Sequence, residues 1–93
     1  TMTAKPFFIT HKDELDLFTK AITKAHGKNH PEVFEVQALY QDLQDHLAHE
    51  QEITSDLEKL NTITNHFAIP DDVCPTFEKT YQLLQEGYHL NHA

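Results

Sequence analysis

The chain has 93 residues, and its 7 lysines, without any arginine, stand against 15 aspartates and glutamates, which gives a formal net charge of −8. A chain of this length forms one domain, and its acidity argues against nucleic-acid and anionic-membrane partners, which are bound by clusters of Lys and Arg. No apolar run approaches the ~20 residues of a transmembrane helix. The single cysteine, Cys74, cannot form an internal disulfide, which indicates a reducing cytoplasm, and the absence of neighbouring His or Lys predicts an inert thiol.

Residues 1–9 are predicted to form an extended arm, and residues 10–26 the first helix. Thr10 is a candidate N-cap, and Asp13 follows in the first turn, where the helix dipole favours negative charge. An apolar stripe at helical spacing predicts the buried face, and Gly27 is expected to end the helix. The stripe consists of Leu15, Phe18, Ile22 and Ala25.

The second helix is predicted over residues 31–67, with Pro31 in its first turn. Two apolar seams follow each other along it and differ in phase. A break near Thr54 and Ser55 is the alternative, because Ser55 opens a capping-box pattern. Neither Gly nor Pro occurs in residues 32–69, so one long helix is favoured. The seams are Val33, Val36, Tyr40, Leu43 and Leu47, then Ile53, Leu57, Leu60, Thr64 and Phe67.

The third helix is predicted over residues 73–90, after a turn that contains Pro70. Its apolar face consists of Val73, Phe77, Tyr81, Leu84 and Tyr88. With only two glycines, the chain is predicted to be helical throughout. The expected fold is all-α: an up-down antiparallel bundle of three helices with a long second helix, in a single domain over residues 1–93.

Eight histidines make imidazole and carboxylate the obvious chemistry of this acidic chain. His46 and Glu50 lie four residues apart and so project from one face of a helix, and His49 lies three residues after His46. Imidazole with carboxylate suits non-haem iron, manganese or zinc, and helical bundles build such sites in their cores. The plainer interpretation of these residues is a solvated helix face. His11 and His89 are weaker candidates for completing a metal site.

Two stretches of the chain resemble one known family. Residues 23–31, of sequence TKAHGKNHP, resemble the KVHGxNHP turn of the iron–sulfur cluster repair di-iron proteins, which are hemerythrin-like. Residues 57–82 are similar to the end of that family's third helix and the start of its fourth. The resemblance implies a hemerythrin-like up-down bundle, which in the family holds two non-haem irons and serves to repair oxidatively or nitrosatively damaged clusters.

The departures from the family pattern imply an incomplete metal site. The ligand histidine of the family's first helix aligns with Lys5, and residues 46–52 stand for parts of two helices. The last ligand motif of the family is absent. The resemblance therefore leaves His46, His49 and Glu50 as the candidate ligands of a non-haem iron site, which one chain alone does not complete.

Two functions follow from these residues. The first is a small hemerythrin-like protein, related to the cluster repair proteins, with an incomplete non-haem iron site. The second is a metal-free, dimeric helical interaction module; an enzyme is not expected, because no catalytic constellation is present. A helix over residues 31–67 would be ~54 Å long, more than the two shorter helices can cover. The long helices are therefore expected to pair in a homodimer.

Overall fold

The computed structural model describes residues 3–92, which form five α-helices and no β-strand. The helices are α1 (Ala4–Thr10), α2 (Lys12–His26), α3 (Glu32–Ala48), α4 (Thr54–Ile63) and α5 (Pro75–Asn91). The prediction of an all-helical chain is confirmed, but the prediction of three helices with a long second one is wrong. The first two residues of the predicted arm lie outside the described residues.

Most of the predicted extended arm is a helix, α1. The side chains of Phe7 and Phe8 are buried, with 2% and 0% of their surface exposed. The ring of Phe8 lies against Gly87 of α5, where an added Cβ would come within 2.3 Å of the ring. The N–H of His11 donates to the Phe7 carbonyl, so α1 continues into α2 with a break of one residue. A helix this short has little intrinsic stability, and burial of its two rings is what stabilises it.

A hydrogen-bond network joins the α1–α2 junction to α3. The Tyr40 hydroxyl donates to Asp16 Oδ1 at 2.9 Å, and Gln44 Nε2 donates both to the Phe8 carbonyl and to the Tyr40 oxygen at 3.0 Å. Burial raises the pKa of Tyr40. The ring of Tyr40 therefore belongs to the core while its one polar atom is satisfied at the edge of the core.

The predicted second helix is in fact two helices, α3 and α4. Glu50 lies in the left-handed region, with a φ of 57°. Its N–H donates to the Leu47 carbonyl at 3.1 Å, and the N–H of Gln51 donates to the His46 carbonyl at 2.8 Å. This pair of bonds is the Schellman arrangement that ends helices. A break is therefore correct, but α3 already ends at Ala48, and α4 begins at Thr54 without the side-chain cap that Ser55 was expected to provide.

The break allows both apolar seams to reach one core. The helices α2, α3, α4 and α5 form a ring in which each contacts its two neighbours, and α1 packs on α5. Residues of all the predicted stripes are buried together: Leu15, Ile22, Val33, Val36, Tyr40, Leu43, Ile53, Leu57, Leu60, Phe67, Phe77, Tyr81 and Leu84. In the part of the chain that the structure describes, no helix has both the length and the apolar character needed to cross a membrane.

Contacts between helices define two ends of the molecule. At the Cys74 end (residues 26–31 and 72–77), the α2–α3 turn meets the start of α5. At the His46 end (residues 8–12, 46–56 and 87–92), the α3–α4 turn meets the end of α5. The 17 residues of α3 separate the two ends by ~25 Å.

Candidate functional site

His46, the first predicted ligand, lies in the last turn of α3 and pairs with a carboxylate of α4. Its Nδ1 is 2.7 Å from Oδ2 of Asp56, whose side chain is 5% exposed whereas that of His46 is 40% exposed. The hydrogen bond with Asp56 raises the pKa of His46. The pair satisfies a buried carboxylate and links the two helices across the turn.

His49 and Glu50, the other predicted ligands, lie after the end of α3. His49 Nδ1 is 2.8 Å from the carbonyl of Asp45 in the last turn of α3, which also accepts the backbone N–H of His49 at 3.2 Å, and the His49 side chain is largely exposed. Glu50 is exposed and occupies the left-handed position of the Schellman arrangement. Because α3 ends at Ala48, His46 and Glu50 do not project from one helix face as predicted.

The structure does not bring the three predicted ligands together. His46 contacts Asp56, His49 contacts its own helix, and Glu50 forms the turn. Within residues 3–92, no group of three or more His, Cys, Asp or Glu side chains is placed to hold a metal ion. The donor types suit iron, but their separate contacts do not fit a resident iron centre built by one chain.

The weaker candidates also form separate contacts. His11 pairs with Glu14 on the next turn of α2 and packs on the ring of Phe7. The ring of His89 packs against its neighbour Tyr88. Neither histidine joins His46: a hydrogen bond and ring packing account for His11, and ring packing accounts for His89.

Histidines at the Cys74 end make contacts between helices that are distant in sequence. His30 Nε2 lies 2.8 Å from Asp72 Oδ1, and His30 Nδ1 lies 3.3 Å from Glu32 Oε2. The hydrogen bond between His30 and Asp72 raises the pKa of His30 and lowers the pKa of Asp72. This pair ties the start of α3 to the segment that leads into α5.

The second contact at this end joins His26 to Cys74, which are 48 residues apart. His26 Nε2 lies 3.2 Å from the Cys74 sulfur, and the ring of Phe77 contacts His26 edge-on at 5.3 Å. Phe77 also packs on Tyr81, whose buried hydroxyl has no hydrogen-bond partner within residues 3–92. Cys74 has no His or Lys beside it in sequence, and only the folding of α2 against α5 places His26 next to its sulfur.

A groove that opens to solvent is lined by residues of α3 and α4. Its volume is about 500 Å³. Leu39 and Ile63 supply its apolar floor, and Glu35, Glu58 and Lys59 lie along its sides. Ile63 is 39% exposed, so apolar surface is available there for a partner.

Comparisons with known proteins identify no relative: no protein-family model, no curated protein and no solved structure matches this chain.

Proposed function

We propose that this chain is a helical interaction module that pairs with a second copy of itself. The observation that carries this proposal is the groove between α3 and α4, with its apolar floor of Leu39 and Ile63. An apolar floor beside charged sides is the usual composition of a protein interface, in which burial supplies affinity and the polar rim supplies specificity. The proposal deepens the metal-free alternative that the sequence offered.

Charge supports a second copy as the occupant of the groove. The sides of the groove carry both signs, with Lys59 beside Glu35 and Glu58, although the chain as a whole carries a charge of −8. In a two-fold contact, a residue of one copy meets a different residue of the other, and the same pair forms twice. Lys59 of each copy then faces a glutamate of the other, and the mixed signs offset the repulsion between two acidic chains.

This proposal keeps the homodimer that the sequence predicts but places its contact on a different surface. The sequence predicts pairing through the apolar seams of one long helix, whereas the structure buries those seams in the core of α3 and α4. The groove lies on the outer side of the same two helices. The pairing surface is therefore small, and we expect a dissociation constant of ~1–100 μM rather than an obligate dimer.

Sedimentation equilibrium over ~1–100 μM protein tests the proposal. The unmodified chain should shift from monomer to dimer in this range, and Lys59→Glu should remain a monomer because it places like charges opposite each other. An equimolar mixture of Lys59→Glu with Glu58→Lys should recover a heterodimer.

Lys28→Glu is the matched control, because it makes the same charge change at an exposed position on the α2–α3 turn. It should leave the dimer unchanged. A chain that stays monomeric at the highest concentration, or that dimerises equally well with Lys59→Glu, would overturn the proposal. If the monomer instead captures a helical peptide with basic side chains in the groove, the occupant is a different partner.

Non-haem iron is the second candidate function, and one contact favours it. Asp56 holds Nδ1 of His46, which leaves Nε2 as the free donor atom, as in many metal-ligating histidines whose other nitrogen meets a carboxylate. Iron at this position would need further donors from His49, Glu50 or a second copy. The resemblance to the cluster repair proteins points the same way.

Anaerobic titration with ferrous iron, followed by elemental analysis, separates the two functions. The interaction module should retain sub-stoichiometric iron and show an unchanged melting temperature, whereas a ligand that binds the folded state raises it. If iron is retained, His46→Ala combined with Glu50→Ala should remove it. Stoichiometric iron lost in that double variant would replace the metal-free function.

A further inference from the structure

The contact between His26 and Cys74, which lies outside the groove, brings a potential base next to a potential nucleophile. Two groups of Cys74 approach the same ring nitrogen: the sulfur lies 3.2 Å from His26 Nε2, and the backbone nitrogen of Cys74 lies 3.4 Å from it. In the tautomer that leaves Nε2 unprotonated, its lone pair faces both groups. This geometry places an acceptor for the thiol proton within hydrogen-bond distance of the sulfur.

The position of Cys74 favours negative charge at the sulfur. Cys74 is the N-cap of α5, a helix of 17 residues, and the positive end of the helix dipole lies beside it. Pro75 at the first helical position carries no N–H, so the sulfur sits at the opening of the helix without a side-chain cap bond. The ring of Phe77 contacts His26 edge-on and restricts its orientation.

A small cleft gives a reactant access to the sulfur. Its volume is about 110 Å³, and Ala21, Ile22, Ala25, Cys74 and Thr76 line it. A water molecule takes ~30 Å³ in the liquid, so the cleft holds a reactant of only a few non-hydrogen atoms. Cys74 is half-buried, and its sulfur is therefore neither sealed in the core nor open to large reagents.

We propose that Cys74 is a reactive thiol that reduces small hydroperoxides, with His26 as its base. The thiol proton passes to His26 Nε2, and the sulfur attacks one oxygen of hydrogen peroxide. The S–O bond forms as the O–O bond breaks, and the leaving hydroxide takes the proton from His26 and departs as water. Sulfur is oxidised by two electrons to the sulfenic acid, and the peroxide is reduced.

Trapping of the sulfenic acid with dimedone, quantified by mass spectrometry, tests the proposal. Because Cys74 is the one cysteine of the chain, the label has one destination. The folded chain should react with hydrogen peroxide about tenfold or more faster than the same chain unfolded in urea. His26→Gln should lose that acceleration and should need a higher pH to reach its maximal rate. His30→Gln, a change of the same kind at the same end, should keep the rate and pH profile of the unmodified chain.

The cleft provides a second, independent measurement. Ala21→Leu narrows the cleft and should slow the reaction with peroxide, whereas Ala48→Leu, at an exposed position of the His46 end, should not. Folding should accelerate the reaction of Cys74 with dithiodipyridine, a bulky aromatic disulfide, less than it accelerates the reaction with hydrogen peroxide.

Three results would overturn the proposal. The first is a folded chain that reacts no faster than the unfolded chain, a comparison that needs no variant. The second is a folded His26→Gln variant with an unchanged rate and pH profile. The third is acceleration of dithiodipyridine without acceleration of hydrogen peroxide, which would assign the thiol to disulfides instead. Dimerisation through the groove is measured separately, so either proposal can fail alone.

Discussion

The two ends of the bundle both pair histidine with carboxylate, but they use their histidines differently. At the His46 end, His46 pairs with the buried carboxylate of Asp56 in α4, and His49 contacts the Asp45 carbonyl in the last turn of α3. At the Cys74 end, His30 ties α3 to Asp72 while His26 meets a thiol. Three candidate ligands within five residues thus remain apart, whereas two residues 48 positions apart are in contact.

The difference teaches how proximity in sequence relates to proximity in a helical bundle. Residues four apart share a face only while the helix continues, and α3 ends before Glu50. Residues at the ends of two neighbouring helices are brought together by packing, whatever their separation along the chain. A search for sites by local spacing therefore favours the His46 end and misses the Cys74 end.

The largest expected effect concerns α1, which packs at the His46 end and has no counterpart at the Cys74 end. Phe8→Ala should lower the free energy of unfolding by ~3–5 kcal/mol, because the wholly buried ring leaves a cavity against α5. Its neighbour Ile9 is 64% exposed, and Ile9→Ala should change stability by less than ~0.5 kcal/mol. Urea unfolding measures both, and equal effects would mean that the N-terminal segment is the extended arm after all.

An intermediate effect separates a turn residue from a metal ligand. Glu50→Gly should raise the free energy of unfolding by ~1 kcal/mol, because glycine adopts the left-handed conformation without the steric cost that glutamate bears. Asn65 holds the equivalent position after α4, with a φ of 53°. Asn65→Gly should raise the free energy of unfolding by only about a few tenths of a kcal/mol, since asparagine tolerates the left-handed conformation better than glutamate does. Loss of stability in Glu50→Gly would contradict the role of Glu50 as a turn residue.

The smallest expected effect is the pH dependence of the two His–carboxylate pairs. His30 and His46 have raised pKa values in the folded chain, so their stabilisation is present below about pH 6.5 and is lost as the pH rises through those raised values. Asp72 has a lowered pKa, so its contribution is present above about pH 4 and is lost as the pH falls through the lowered value.

The free energy of unfolding should therefore be higher at about pH 6 than at about pH 8. His30→Gln should reduce this difference in the free energy of unfolding more than His46→Gln does. The His30 side chain is 17% exposed and contacts two carboxylates, whereas the His46 side chain is 40% exposed. His49→Gln is the matched control at an exposed histidine. Urea unfolding at the two pH values measures the difference, and an equal slope in all three variants would assign the pH dependence to the overall charge instead.

The helical faces were predictable, but the boundaries and the sites were not. Apolar residues at spacings of three and four identified the buried faces of α3, α4 and α5, and burial of Val36, Leu57 and Leu84 agrees with that pattern. The break was only the alternative prediction, and its position after Ala48 was missed, because backbone hydrogen bonds end α3 with a glutamate where glycine is usual. The helix α1 was not predicted because it depends on burial of Phe8 in the space beside Gly87 of α5, and that space exists only in the folded chain.

By itself, the sequence determined the helical class and the inward faces, because both follow from side-chain periodicity along a continuous stretch of chain. It also determined the acidic charge and the single thiol. The tertiary structure decided where the helices end, that His46, His49 and Glu50 lie apart, and that His26 reaches Cys74. These outcomes depend on contacts between segments that are distant in sequence, and the free energy of such contacts is realised only when the helices pack.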